Sequence, residues 1–228
     1  MPGAAFARGE SVVLRTVETE DVAFLQRWRN HPDVRRPLTD ADPRNGEQVA
    51  EYVENRVSGD GDGFGFVVCA RDREAARRRL REYDGATPAL EYGDDEGGEG
   101  DAADDRPVPV GTVHMPWIRQ PHASGMIMYW IAPPHHGHGY VTEATGLLLE
   151  YAFDERRIAK ATAIVLETNE GSQRVLEKLG FEREGVHRRE TFVDGERRDN
   201  YRYGLLADEW RARSDGRPAP ARTRRRTD

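Results

Sequence analysis

Tyr129-Trp130-Ile131-Ala132-Pro133-Pro134-His135-His136-Gly137-His138-Gly139-Tyr140-Val141-Thr142-Glu143-Ala144 is the stretch from which the rest of the chain can be placed. An apolar run, Gly125 to Ile131, is cut by two prolines, and a turn with two glycines one residue apart follows. Helical periodicity then begins: Ala144, Leu147, Leu148, Tyr151 and Ala152 recur at the spacing of one buried face. The order is strand, glycine turn, helix. The first helical turn points free backbone N–H groups and the positive end of the helix dipole at whatever lies before it. Gly137 and Gly139 lack a Cβ, so an anion can approach the backbone and the turn can take positive φ.

Two familiar phosphate loops do not fit. The dinucleotide fingerprint needs a third glycine where Thr142 stands, and the nucleotide-triphosphate loop needs Gly-Lys-Ser/Thr. The stretch instead resembles the acyl-CoA pyrophosphate loop of the GNAT superfamily of N-acyltransferases, Arg/Gln-x-x-Gly-x-Gly/Ala. His136 stands at the Arg/Gln position, Gly139 at the glycine and Val141 at the final Gly/Ala, so both ends depart from consensus. The wording Gly-x-Gly-Tyr-x-Thr-Glu-Ala after Trp-Ile-x-Pro looks more particularly like the Rim-type N-terminal acetyltransferases of ribosomal proteins.

A second stretch carries the same resemblance. Asn169-Glu170-Gly171-Ser172-Gln173-Arg174-Val175-Leu176-Glu177-Lys178-Leu179-Gly180-Phe181 is similar to the superfamily's closing motif, in which the asparagine and the residue three later lie along the pantetheine arm. Many members have a tyrosine as general acid where this chain has Leu176, which leaves Ser172 as the candidate hydroxyl near the thioester sulfur. Helix N-cap is the other reading of Ser172. Gly180 is placed as a helix C-cap with Phe181 folding back onto Leu176 or Leu179. Two further stretches match: Leu14 to Arg35, with Trp28-Arg29-Asn30-His31-Pro32-Asp33, and the Gly-Phe-x-x-Glu-Gly and Asp-Gly-x-x-x-Asp wording around Gly180–Gly185 and Asp194–Asp199.

The 228 residues suffice for one core with extra sequence left over. Hydrophobic content of 37% against 33% charged residues, with no apolar run near bilayer length, excludes a helical membrane span and reads as soluble. No signal-peptide pattern opens the chain, and a single cysteine excludes an intrachain disulfide framework, so the cytoplasm is the expected setting. The net charge of −7 makes general nucleic-acid binding unfavourable outside the arginine-rich tail, residues 211–228. Cys69 reads as a small core residue rather than a nucleophile.

Along the chain, Val12–Leu14 predicts a strand and Thr19 an N-cap for a helix bearing Val22, Leu25 and Trp28. A second helix is expected at Glu47–Val57 and a strand at Phe64–Ala70. Residues 71–107 read as a charged insertion, with six arginines in 71–81 able to form a short helix and seven acids in 94–105 that cannot order themselves. Strands are expected at Val108–Trp117, Gly125–Ile131 and Ala159–Leu166, then a hairpin turning at Asp194-Gly195.

The fold class is therefore mixed α and β (α+β) over residues 10–210. The resemblance implies a mostly antiparallel central sheet with flanking helices, splayed between Gly125–Ile131 and Ala159–Leu166 around the cofactor. It further implies that acetyl-CoA is cosubstrate, held by Ile131, His136, Gly137, His138, Gly139, Tyr140, Val141, Thr142, Asn169 and Ser172. Transfer to an amine acceptor is direct. A strand N–H near Ile131 would stabilise the thioester oxygen. An N-terminal α-amine, which ordinarily titrates near pH ~8, is partly neutral at pH ~7 and needs only a modest base; Glu190 and Glu143 are the candidates. Three function classes stand: protein N-terminal acetyltransferase, small-molecule amine acetyltransferase (polyamine, amino acid or aminoglycoside), and a silent acyl-CoA-binding module. No metal site is expected from His135, His136 and His138, whose neighbours offer no carboxylate or thiolate ligand, and the chain is read as a monomer or dimer.

Overall fold

The computed structural model describes residues 3–40, 42–54, 63–84 and 108–214. Among these, the strands are β1 (Ala5–Arg8), β2 (Val12–Arg15), β3 (Phe64–Ala70), β4 (Val108–Arg119), β5 (Ser124–Ile131), β6 (Lys160–Leu166), β7 (Glu182–Val193) and β8 (Glu196–Leu206). The helices are α1 (Val22–Asn30), α2 (Pro32–Arg35), α3 (Gly46–Tyr52), α4 (Arg73–Asp84), α5 (Tyr140–Asp154), α6 (Glu170–Leu179) and α7 (Ala207–Ser214). One sheet runs in the order β1-β2-β3-β4-β5-β6-β8-β7. Neighbours are antiparallel except β5 and β6, which are parallel. The mixed, mostly antiparallel sheet with flanking helices is thus as expected.

β3 explains the two layers. All seven of its residues are buried, with Phe64, Phe66 and Val68 in the core beneath α5 and α6, and Val67 and Cys69 in the core beneath α1 and α3. Helices on both faces remove the polar alternation of a half-exposed strand. Cys69 is 1% exposed, accepts a hydrogen bond from Arg15 Nε at 3.2 Å, and has its thiol pushed up to about 11 by burial, which leaves it a core residue.

Several boundaries differ from expectation for local reasons. Thr19 is not an N-cap: it lies inside a 3₁₀ turn, Thr19–Asp21, closed by a reciprocal capping box between Glu18 and Asp21. Asp21 also holds the guanidinium of Arg15, both side chains being buried. α3 begins after Asn45, whose side chain accepts from Gln48 N at 2.8 Å, and is shorter than Glu47–Val57; Val57 lies outside the described residues. α5 buries Tyr140, Ala144, Thr145, Leu148, Leu149, Ala152 and Phe153, while Leu147 and Tyr151 flank the core, so its buried face is broader and rotated from the expected one.

The first part of the expected insertion is an ordered helix. In α4, Ala75 and Ala76 are buried and Leu80 packs against the α1 layer, which anchors an otherwise arginine-rich segment. Residues 85–107, with the acidic run, lie outside the described residues. The expected tail also starts later than residue 211: Arg211 Nη2 donates to Phe153 O at 3.0 Å and Arg213 Nη2 to Lys178 O at 3.0 Å, tying α7 to the ends of α5 and α6. Residues 215–228 lie outside the described residues. Gly180 caps α6 with φ 93°, with Phe181 N–H bonded to Leu176 O at 2.9 Å, and Asp194-Gly195 takes φ 50° and 83° at the β7–β8 turn.

Candidate active site

β5 and β6 pair only at Ser124↔Lys160, Gly125↔Ala161 and Met126↔Thr162. Past Met126 the two strands part, β5 staying with β4 as far as Gly111↔Ile131 and β6 with β8 as far as Leu166↔Asn200. The parting starts opposite a bulge in β4, where His114 faces Met128 and the next partner pair is Trp117 and Met126. Bulges bend and twist the local ladder, which accounts for the place of the divergence. Among the described residues, the opening leaves one edge of β5 without a partner strand. Ala132 N–H donates to Val110 O at 2.8 Å on the β4 side, and successive strand N–H groups alternate, so the Ile131 N–H points into the opening.

The glycine turn closes one end of this opening. Gly137 has φ 80° and Gly139 φ 78°, and a Cβ added at either would meet nothing within 4 Å among the described residues. Both glycines are needed for conformation, and both leave their backbone open to approach. Gly139 is the N-cap of α5 and no side chain among the described residues caps that end, so the first-turn N–H groups of Tyr140, Val141 and Thr142 face outward. An anionic, elongated ligand fits here on two grounds: the uncapped helix end meets charge, and the open strand edge meets amide-like arms.

The three histidines go separate ways. His136 Nε2 lies 2.7 Å from Ile131 O, and since a carbonyl only accepts, that nitrogen carries the hydrogen and the ring braces the turn against β5. His138 is exposed beside the Tyr140 ring, 5.8 Å between centroids. His135 is 2% exposed and turns inward, and burial lowers its pKa to about 4, with Arg79 adding to the shift. No three metal-ligating side chains cluster among the described residues. Arg79, from α4, donates to Tyr140 Oη at 3.0 Å and sets a permanent cation against the turn.

On the opposite wall stands the first turn of α6. Asn169 is its N-cap, with Oδ1 accepting from Ser172 N at 3.1 Å, so Ser172 is not the capping residue. The Ser172 hydroxyl is instead 2.8 Å from Tyr129 Oη. Leu176 is fully buried, as a core residue would be. Glu143 is accounted for structurally, its carboxylate accepting Ser11 N at 3.0 and 3.1 Å to tie α5 to the β1–β2 turn. Glu190 stands on β7, where a bulge between His187 and Thr191 turns it toward β8. Its carboxylate accepts from Asn200 Nδ2 at 2.9 Å and pairs with His187 at 3.1 Å; those two hydrogen bonds, Asn200 first, lower its pKa. Asn200 is registered opposite Leu166, so Glu190 and Ser172 lie at the same end of β6 but share no direct contact.

Beneath the other face of β5 is a small cavity of about 20 Å³, bounded by Val17, Leu25, Arg29, Tyr52, His114 and Trp130 among others. That is room for one water. Tyr52 Oη is 3.0 Å from His114 Nε2, and burial pushes His114 down to about 3, so the ring is neutral. Arg29 is paired with Asp40 at 2.7 Å. Sequence reasoning missed Tyr129, Arg79 and the Tyr52–His114 pair. Strand alternation would have put Tyr129 on the side of Ile131, but nothing local announces the meeting with α6.

Known proteins share the family and the fold. The Acetyltransferase (GNAT) domain family matches residues 11–182. A probable N-acetyltransferase of Bacillus subtilis, YjcK, is 36% identical over 135 residues, covering 58% of this chain and 72% of that protein. Two further curated relatives are matched over about half of their own length, at 55% each. The solved spermidine N-acetyltransferase of Vibrio cholerae, in complex with CoA and spermine, superposes with TM-score 0.69 at 19% identity, covering 89% of this chain and 99% of that one. RimL, a ribosomal L7/L12 alpha-N-protein acetyltransferase in complex with CoA, gives TM-score 0.68 at 13% identity, covering 89% and 98%. At such identities the two structures show the shared fold, and they favour no branch within it. From the splayed sheet, the glycine turn and the family match together it follows that the chain belongs to the GNAT acetyltransferase family and is an acetyl-CoA-dependent N-acetyltransferase.

Proposed function

We propose that the protein acetylates the N-terminal α-amine of a protein or peptide, with direct transfer from acetyl-CoA across the β5–β6 opening. The cosubstrate supplies an activated acetyl thioester. His136 through Thr142 hold its pyrophosphate, and Asn169 and the edge of β5 hold its arm. The Ile131 N–H stabilises charge developing on the thioester oxygen. Glu190 accepts the amine proton through water, and Ser172 gives a proton to the departing sulfur. The lowered pKa of Glu190 keeps it ionised near neutral pH and makes it a modest base, which suits an amine already partly neutral.

The acceptor reading rests on Glu190, an exposed carboxylate held below the ordinary carboxylate range by its hydrogen bonds to Asn200 and His187. So weak a base suits an α-amine, which is partly neutral near pH ~7, and falls short of a primary alkyl amine such as a polyamine end, which titrates near ~10.4. The second reading, a polyamine acceptor, is favoured by the likeness to the spermidine N-acetyltransferase of Escherichia coli, 29% identical over 103 residues. A screen of acetyl-CoA consumption against peptides with free N-termini, the same peptides blocked at that end, and spermidine decides. Turnover restricted to free peptide N-termini is expected; turnover with spermidine alone would replace this reading with the second.

A further inference from the structure

Tyr129 crosses the opening between the diverging strands. It rises from β5, and its hydroxyl meets the first turn of α6 at 2.8 Å from Ser172 Oγ and 3.3 Å from Ser172 O. The helix itself brings no phenol to the position where Leu176 stands, but the strand opposite brings one to Ser172. We propose that Tyr129 is a positioning residue for proton transfer to the departing sulfur: its hydroxyl donates to Ser172 Oγ, which turns the serine's own hydrogen away from Tyr129 and into the opening. This rests on the reading of Ser172 given above.

Hydrogen-bond accounting favours that direction. A phenol has one hydrogen, and 2.8 Å is an ordinary O–H···O length whereas 3.3 Å is long. The serine backbone N–H is already taken by Asn169 Oδ1 at 3.1 Å, so the Ser172 hydroxyl hydrogen is the mobile donor at this turn. Tyr129 packs against the core beneath α5, and burial raises its phenol above the ordinary value, so it remains a donor throughout the neutral range. In the transfer itself the amine nitrogen bonds to the acetyl carbon, the carbon–sulfur bond breaks with its electron pair going to sulfur, and the Ser172 proton moves to that sulfur. Solvent returns a proton to the serine oxygen as its own leaves, so no free alkoxide forms, and the Tyr129 hydrogen holds that oxygen throughout. The amine's surplus proton leaves through water to Glu190, and Tyr129 neither gains nor loses one.

The test compares the native chain with Tyr129→Phe, Ser172→Ala and the double variant, each by steady-state turnover, CoA calorimetry and thermal midpoint. Phe keeps the ring packing and removes one oxygen, so Tyr129→Phe is expected to fold with an unchanged midpoint and CoA affinity. Its kcat should fall about tenfold, the worth of one well-placed hydrogen bond, with KM unmoved. Ser172→Ala should lose roughly 10²-fold in kcat, and the double variant no more than that. Native or raised turnover in Tyr129→Phe would show that the serine donates to the tyrosine instead, and overturn the inference while leaving Ser172 in place. A shifted CoA affinity with native kcat would make Tyr129 a spacer between the walls and overturn it equally. Native turnover in Ser172→Ala would remove the serine reading itself, and this inference with it.

Discussion

Gly139 and Asn169 show how far single residues carry the site. Gly139 has φ 78° with open space where a Cβ would stand, so replacement meets no clash but must hold a left-handed backbone, at a cost of about 1 kcal/mol. On the proposed placement of the pyrophosphate, Gly139→Asp adds a like charge beside it, and calorimetric titration should show CoA affinity falling by roughly 10²-fold or more, with Gly139→Ala between it and the native chain. Equal affinities would separate the turn from the cofactor. Asn169 and Ser172 divide two roles that sequence alone left together. Because Asn169 Oδ1 takes the Ser172 N–H, Asn169→Ala should cost about 1 kcal/mol of stability through the lost cap. Ser172→Ala should leave the thermal midpoint nearly unmoved. A larger midpoint loss for the serine variant would reverse that assignment.

Among the elements, α4 and α7 are where composition misled and packing decided. The six arginines of 71–81 read as the start of a charged insertion able to form a short helix, and what composition hid is how that helix is seated: Ala76 is fully buried and Arg79 reaches Tyr140 at the start of α5. Two small residues one after another, with Leu80, suffice to seat the helix against β4 and the proline turn after β5, and periodicity is too faint to reveal so narrow a stripe. Removing residues 86–106 while keeping α4 should leave the thermal midpoint within a few degrees, since loop closure depends only weakly on length. Removing 73–106 should lower it clearly and weaken CoA binding, because the cation facing the turn goes with the helix. Matching midpoints for the two deletions would show that α4 does not support the domain. β3, α6 and the β7–β8 hairpin were legible in advance, each for a local reason: a doubly covered strand, a glycine cap and an Asp-Gly turn.

At the scale of the whole molecule, two buried neutral histidines on different elements set an acid limit. Burial depresses His114 to about 3 and His135 to about 4, against an ordinary value near 6.5. Between those values the unfolded chain binds protons that the folded chain refuses, so stability is full above pH ~6.5 and falls as pH drops toward about 4 and then about 3. The loss is on the order of 3 kcal/mol for each ring, and thermal midpoints measured from pH ~7.5 to ~4 should fall steadily, with His135→Gln flattening the curve. A flat native profile would contradict the burial of both rings. What the sequence by itself determined were features made by near neighbours: the strand-turn-helix order, the two glycines of the turn, the Gly180 cap of the closing helix and the mixed order of helices and strands. Only the tertiary structure decided which distant groups meet. A bulge in β4 fixed where β5 leaves β6, packing brought Tyr129 to Ser172 and Arg79 to Tyr140, and a bulge in β7 aimed Glu190 at Asn200. The physical reason is range: backbone preference and capping act within a few residues, whereas these meetings depend on how two packed layers settle against one sheet.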